Sequence, residues 1–373
     1  MARLDQICSL NMGQSPDSSS YNENGEGMPF FQGNADFGKV HPRVRVWCSA
    51  PTKVAHAGDV LISVRAPIGA LNIADRECCI GRGLAALTVN EELCNKDYLW
   101  YAIASKVDEL NSKGTGSTFK AISKSVLAET EIPLPALAEQ QIVAGQLAKV
   151  DELIALRKEQ IAKLDQLIKS RFIELFGDPM TNGKGYILKK YGDLFELNAG
   201  GTPSKQKTEY WDDGTISWIG SNMCQNTVIY KNDGNYITEE GLKHSSARIF
   251  PVDTVLIALV GATIGKTALL KFETTTNQNV LGVRGIRESG YTPEFVFYYT
   301  QGLYQKFLNI SDGGFAMASK AFISELPMPV VDLALQEKFS LFVTQTDKSK
   351  LAIQQSLDKL ELLKKALMQE YFG

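Results

Sequence analysis

The 373-residue sequence is poor in the residues on which metal sites and many catalytic sites depend. Its three histidines, His41, His56 and His244, lie far apart. Its six cysteines, Cys8, Cys48, Cys78, Cys79, Cys94 and Cys224, contain no Cys-x-x-Cys pair. That spacing fits neither a zinc site nor a disulfide framework, and leaves free thiols in a reducing compartment. No apolar run reaches the length that crosses a membrane, and the opening MARLDQICSL lacks the apolar centre of a signal peptide. The expectation is a cytoplasmic protein with no membrane partner. No two prolines are adjacent, which removes the [DN]-P-P-[YF] motif of amino-methylating enzymes. Gly-x-Ser-x-Gly, His-Glu-x-x-His and a glycine fingerprint at a strand-to-helix junction are missing too. No acidic cluster with a following lysine marks a nuclease. The chain is therefore expected to carry no catalytic residues and no metal. A net charge of −3 does not advertise a polyanion partner, so local charge distribution has to decide that question.

One stretch imitates a phosphate-binding loop. GATIGKT, residues 261–267, ends in Gly-Lys-Thr, but only three residues separate Gly261 from Gly265, and Val260 stands where the first glycine belongs. Strand-like runs flank it on both sides, so no helix N-terminus faces a phosphate.

The sequence is written twice. ELFG at 174–177 returns as EYFG at 370–373, an offset of 196 that also pairs Ile68–Gly69 with Ile264–Gly265 and Gln140 with Gln336. Nearer the start the offset is 187: Leu10, Asn11, Gly13 and Pro16 answer Leu197, Asn198, Gly200 and Pro203, and PFFQG at 29–33 falls on ISWIG at 216–220. Such an ordered series implies a duplicated unit of roughly 180–195 residues, too long for a solenoid repeat and long enough for a domain. GATIGKT then answers RAPIGAL at 65–71, which keeps Ile-Gly and loses the lysine. The shared part is a turn between strands.

Each copy has two parts. Short apolar runs such as DVLISV (59–64) and TVLIALV (254–260) read as buried strands, and KDYLWYAIAS (96–105) and EFVFYYTQGLYQKFL (294–308) as helices, which makes an α+β mixture. A long helix follows. Alternating steps of three and four from Gln140 give Val143, Leu147, Val150, Ile154, Arg157, Ile161, Leu164, Ile168, Arg171 and Leu175. From Gln336 they give Phe339, Val343, Thr346, Lys350, Ile353, Leu357, Leu360, Lys364, Leu367 and Tyr371. These are coiled-coil seams on helices of about 55 Å. The simplest burial is one helix against the other, antiparallel, with a pseudo-two-fold relation between the copies. Packing of each helix on its own domain is the alternative.

Candidate contacts to a polyanion cluster in residues 200–220, GGTPSKQKTEYWDDGTISWIG. Gly200 and Gly201 allow close backbone approach, Lys205 and Lys207 bring charge, and Tyr210, Trp211 and Trp218 bring planar faces. Thr202, Ser204 and Asn222 complete this set, with Ser15 in the first copy. Lysines among aromatic and amide side chains suit phosphate contact with base-edge reading; a solvated loop over core aromatics has the same composition. Asn277, Gln278 and Asn279 could read adenine, or could simply satisfy a strand end. Lys266 lies in the GATIGKT turn. The first copy offers Lys39, Arg43, Arg45, Arg65 and Arg82, then Lys113 and Lys120 on the loop 112–124, answered loosely by 313–324 with Lys320.

Taken together, GQSPDSSSYNENGEGMPFFQGNADFG, GGTPSKQKTEYWDDGTISWIG, IPLPALAEQQIVAGQLAKVDELI and KSRFIELFGDP resemble the specificity subunits of Type I restriction–modification systems. The resemblance covers essentially the whole chain. It implies a target-recognition domain at 1–136, a spacer helix at 137–177, a second recognition domain at 178–331 and a second helix at 332–373. Each domain would read one half of a bipartite, asymmetric double-stranded DNA target. The helices would set the gap and dock two modification (methyltransferase) subunits, with restriction (translocase/nuclease) subunits joining them. S-adenosylmethionine and ATP would sit on those partners, with no cofactor in this chain. Where the first helix has LAEQQIV the second has LALQEKF, a departure expected to loosen the helix entrance. A self-contained DNA-modifying enzyme and a coiled-coil protein adaptor are the rival readings.

Overall fold

A computed structural model describes residues 1–116, 120–310 and 317–373. The chain divides into two compact units, Met1–Lys158 with Gln355–Gly373, and Glu159–Gln354. The elements that matter in the first are strands β1 (Cys8–Met12), β2 (Met28–Phe31), β3 (Val60–Ser63), β4 (Leu71–Ile73), β5 (Cys78–Ile80) and β6 (Leu84–Val89) and helix α1 (Lys96–Ser105). Helix α2 (Leu137–Phe176) begins there and ends in the second unit. The second unit has β7 (Glu196–Ala199), β8 (Ile216–Ile219), β9 (Thr227–Ile229), β10 (Val255–Ala258), β11 (Thr267–Leu270), β12 (Thr274–Thr276), β13 (Val280–Arg284) and α3 (Pro293–Gly302). Helix α4 (Leu333–Phe372) begins there and ends in the first.

The two sheets repeat one plan. In the first unit the order is β1-β6-β3-β4, antiparallel throughout, with Leu10 opposite Leu87. In the second it is β7-β13-β10-β11-β9, with Leu197 opposite Val283. The extra strand β9 pairs parallel with β11. It lies in the interval where the offset between copies grows from 187 to 196. A second sheet in each unit contains a parallel pair, β2 with β5 and β8 with β12.

The central strands are buried on both faces. Val60 and Ile62 of β3 join a core with Leu87, Tyr98 and Leu147, while Leu61 joins another with Phe31, Ile80 and Ala86. In β10, Val255 and Ile257 face one core and Leu256 and Ala258 a second. Alternate side chains of a strand point to opposite faces, so a continuous apolar run is what a doubly covered strand requires.

The Ile-Gly pairs sit in turns between antiparallel strands, β3–β4 and β10–β11. Gly69 and Gly265 have φ of 91° and 72°. A Cβ there would come within 2.9 Å of Val107 or 2.5 Å of Phe307. Glycine serves twice, for its left-handed backbone and for its missing side chain.

All eleven seam positions of α2, and all eleven of α4, are buried or half-buried. In the first unit Tyr371 Oη donates to Gln146 Oε1 at 2.9 Å, Lys364 Nζ lies 2.6 Å from Asp151, and Lys158 Nζ 2.8 Å from Glu361. In the second Lys350 Nζ lies 2.5 Å from Asp165, and the Phe339 ring meets those of Phe172 and Phe176 at 5.3 and 5.5 Å. Numbers fall along α4 as they rise along α2, so the pair is antiparallel in each unit. The seams also pack on the domains: Leu147 and Val343 belong to domain cores. The LALQEKF departure loosens nothing. Leu137 and Leu333 open the two helices alike, and Gln336 and Phe339 are as buried as Gln140.

Candidate nucleic-acid interface

In each copy the first sheet strand runs into a glycine pressed on a turn. A Cβ on Gly13 would lie 2.2 Å from the Gly81 carbonyl oxygen, and one on Gly200 2.4 Å from the Thr276 carbonyl oxygen. This approach places a hydroxyl two residues further on. Ser15 Oγ accepts the Arg82 N–H at 3.3 Å and the Gln32 Nε2 donor at 2.9 Å. Thr202 Oγ1 donates to Gln278 Oε1 at 2.6 Å. Arg82 and Gln278 are exposed and hold equivalent places: the Leu84 N–H donates to the Gly81 carbonyl on one side, the Val280 N–H to the Asn277 carbonyl on the other.

Around Gln278 other amides gather. Asn277 Oδ1 accepts the Asn279 N–H at 3.1 Å and so holds the turn. A Cβ on Gly220 would meet Asn222 Oδ1 at 2.5 Å and Asn277 Nδ2 at 3.7 Å, so both amides crowd that glycine. Of the three consecutive amides only Gln278 is exposed; Asn277 and Asn279 are half-buried.

The loop 200–220 is pinned from inside. Trp211 Nε1 donates to the Ser204 carbonyl and Trp218 Nε1 to the Gly201 carbonyl, at 3.2 and 3.1 Å. The two indoles pack edge to face at 5.3 Å. Tyr210 corrects an expectation, being only 7% exposed and packed beneath Gly241. Its hydroxyl accepts from Lys207 Nζ at 2.9 Å, an interaction that raises the lysine's pKa above its ordinary value. Tyr210 is a packing residue, and the planar faces expected here build the loop.

The basic candidates divide by partner. Lys205 and Lys320 are exposed, the latter opening a short helix, Lys320–Ser324. Lys39 and Arg43 are exposed as well. Arg65 and Lys120 are exposed on adjoining segments, where Ala66 N–H donates to the Lys120 carbonyl at 2.9 Å. Lys266 Nζ donates to Gln225 Oε1 at 3.0 Å. Two other cations are already engaged: Lys113 with Glu109 at 2.6 Å, and Arg45 with the buried Asp36. Of the loops 112–124 and 313–324, residues 117–119 and 311–316 lie outside the described residues. Sequence reasoning missed Gln32 and Gln225. Gln32 was legible in principle, because PFFQG lies opposite ISWIG and ends beside the turn that carries Arg82.

Among the described residues, no three His, Cys, Asp or Glu side chains gather to hold a metal ion, and no helix is long and apolar enough to cross a membrane. All six thiols are buried and unpaired, and burial pushes Cys8, Cys78 and Cys224 up to about 12.

These features define a class of protein: a duplicated α+β fold in which each copy leads into a 40-residue helix and presents a hydroxyl-anchored polar corner at its sheet. The chain belongs to the Type I restriction modification DNA specificity domain family, whose pattern matches residues 1–166 and 184–363. It is similar to the type I restriction enzyme MjaX specificity subunit of Methanocaldococcus jannaschii, 45% identical over 160 residues, 42% of this chain and 38% of that one. It is also similar to the EcoR124I/EcoR124II specificity subunit of Escherichia coli, 30% identical over 159 residues, 41% of this chain and 39% of that one. The chain thus spans less than half the length of these relatives. Among solved structures, the S subunit of a Type I restriction–modification system from M. genitalium has the same fold, with a TM-score of 0.60 at 16% identity, covering 100% of this chain and 95% of that one. A chain from a structure of complex assembly in the type I system gives a TM-score of 0.62 at 16% identity, covering 99% and 96%.

Proposed function

We propose that the chain is the non-catalytic DNA-recognition subunit of a Type I restriction–modification complex. Each α+β part reads one half of a bipartite, asymmetric duplex target. The helix pair sets the unspecified gap and docks two modification subunits, which bind S-adenosylmethionine; restriction subunits, which use ATP, join them. The observation that carries this reading is one corner built twice with different side chains. In one copy Ser15 joins the Gln32 side chain to the backbone N–H of the exposed Arg82, and Thr202, Gln278, Asn222 and Asn277 border the same place in the other. A repeated scaffold with different donors and acceptors suits two different half-sites, because base edges are told apart by their hydrogen-bond patterns. Arginine matches guanine O6 and N7, and glutamine matches adenine N6 and N7. The test is methylation mapping of host DNA with and without this gene. One bipartite motif should lose its methylation in the deletion strain; a methylation map that does not change refutes the proposal.

A further inference from the structure

Each 40-residue helix opens with the same buried amide. Gln140 is the fourth residue of α2 and Gln336 the fourth of α4, and both are 0% exposed. Gln140 Oε1 accepts the backbone N–H of Asn95 at 2.8 Å, and its Nε2 donates to the carbonyls of Leu93 and Pro135 at 3.1 and 2.8 Å. Gln336 Oε1 accepts the N–H of Thr292 at 3.0 Å, and its Nε2 donates to Val331 at 2.9 Å and Gly290 at 3.4 Å.

The residues they hold have a shared role. Asn95 and Thr292 are the N-caps of α1 and α3, accepting the N–H of Tyr98 and of Phe295. In a capping box, a Glu or Gln at the third helical position reaches back to the cap's own N–H. Here that position holds Tyr98 or Phe295, neither of which can supply the acceptor. The glutamine of the long helix supplies it from another element. A planar amide bonded to both sides of the junction leaves little freedom in how the helix departs. That matters because a swing of about 5° at the base of a helix of about 60 Å moves its far end by about 5 Å, more than the ~3.4 Å rise of one base pair.

We infer that Gln140 and Gln336 are positioning residues: each completes its domain's helix cap and so fixes the direction of the long helix, which makes the DNA gap readable as a single length. The link to the gap rests on the bipartite reading proposed above; the positioning does not.

The test uses the full chain with nitroxides at two exposed sites of the first unit, Glu92→Cys and Leu156→Cys, the native thiols being buried. Gln140→Met keeps the side-chain volume and removes the bonds. The control is Leu61→Ala, which weakens the sheet core away from the helix. The distance distribution should be at least twofold broader in Q140M than in the parent or in L61A. Gln140→Glu keeps the acceptor and loses the donors, should give an intermediate width, and carries the test if Q140M does not fold. In the assembled methyltransferase, Q140M should lose at least tenfold in discrimination against a gap one base pair longer, with both half-site preferences kept. An unchanged width, or the same broadening in L61A, overturns the positioning role. A broadened width with gap discrimination intact overturns the link to the gap. A broadened width in a protein whose parent shows no bipartite preference upholds the positioning and removes the functional reading.

Discussion

Changing Lys205 to Ala tests whether the loop 200–220 lies on phosphate. Its side chain is exposed, and no hydrogen bond or ion pair among the described residues holds its ammonium. Lys207 is tied to the Tyr210 hydroxyl and Lys266 to Gln225. Lys205 is therefore the cation in this region that binding can recruit at least internal cost. One phosphate contact on B-DNA releases about 0.9 counterion. Lys205→Ala should then weaken binding about 8-fold at ~0.1 M salt and about 4-fold at ~0.2 M. A plot of log K against log salt should become shallower by about 0.9. Lys113→Ala is the control: its ammonium already sits 2.6 Å from Glu109, so the slope should not move. The assay is competition binding of the assembled methyltransferase to a duplex carrying its mapped target, over a series of salt concentrations. Gln278→Ala should behave in the opposite way, costing about 1–3 kcal/mol of discrimination in one half-site with the slope intact. Parallel salt plots for K205A and parent would refute the phosphate assignment. A changed half-site preference in K205A would make Lys205 a base reader instead.

Three further outcomes are expected. Phe339 is fully buried among the rings of Phe172, Phe176 and Tyr298, so Phe339→Ala should cost about 3–5 kcal/mol in denaturant unfolding followed by hydrogen exchange of residues 255–284; a loss under about 1 kcal/mol refutes that packing. Burial raises the Asp347 carboxyl above its ordinary pKa despite Lys350 at 3.6 Å. A raised folded pKa means that the charge costs stability above that pKa, a cost relieved as pH falls through it toward the unfolded value. Asp347→Asn should thus be at least as stable as the parent at neutral pH and should gain less on mild acidification; urea midpoints across that range decide, and a clear loss at neutral pH counts against it. Adding about four residues, one helical turn, to both helices near Gln160 and Ser356 should lengthen the recognised gap by about two base pairs with the half-sites kept; altered half-sites at an unchanged gap would rule out a ruler.

The long helices were legible because their pattern is local. Steps of three and four from Gln140 and Gln336 landed only on buried or half-buried positions, including Lys350 and Lys364, whose charges meet Asp165 and Asp151, but they passed over the buried rings of Phe172, Phe176 and Phe372. The strands were legible as apolar runs, but DVLISV buries both faces and so carries no alternation to show which side faces which core. The polar corners were less legible still. Ser15 meets Arg82 across 67 residues and Thr202 meets Gln278 across 76, through a parallel strand pair that no local pattern announces. Tyr210 was misjudged for the same reason, since an aromatic beside lysines has one composition whether it faces solvent or Gly241.

The seams also carry a consequence for biosynthesis. The core around Tyr98 and Val143 is completed by Leu367, Met368, Tyr371 and Phe372, with the Phe372 ring 5.1 Å from that of Tyr98. Those closing residues leave the ribosome about 270 residues after Tyr98, roughly 15–55 s later at ~5–20 residues per second. Until then the nascent first unit lacks its apolar lid, whereas every residue of the second unit lies between Glu159 and Gln354 and has already been made. The half of the protein that is translated first is thus the half whose core can be closed last.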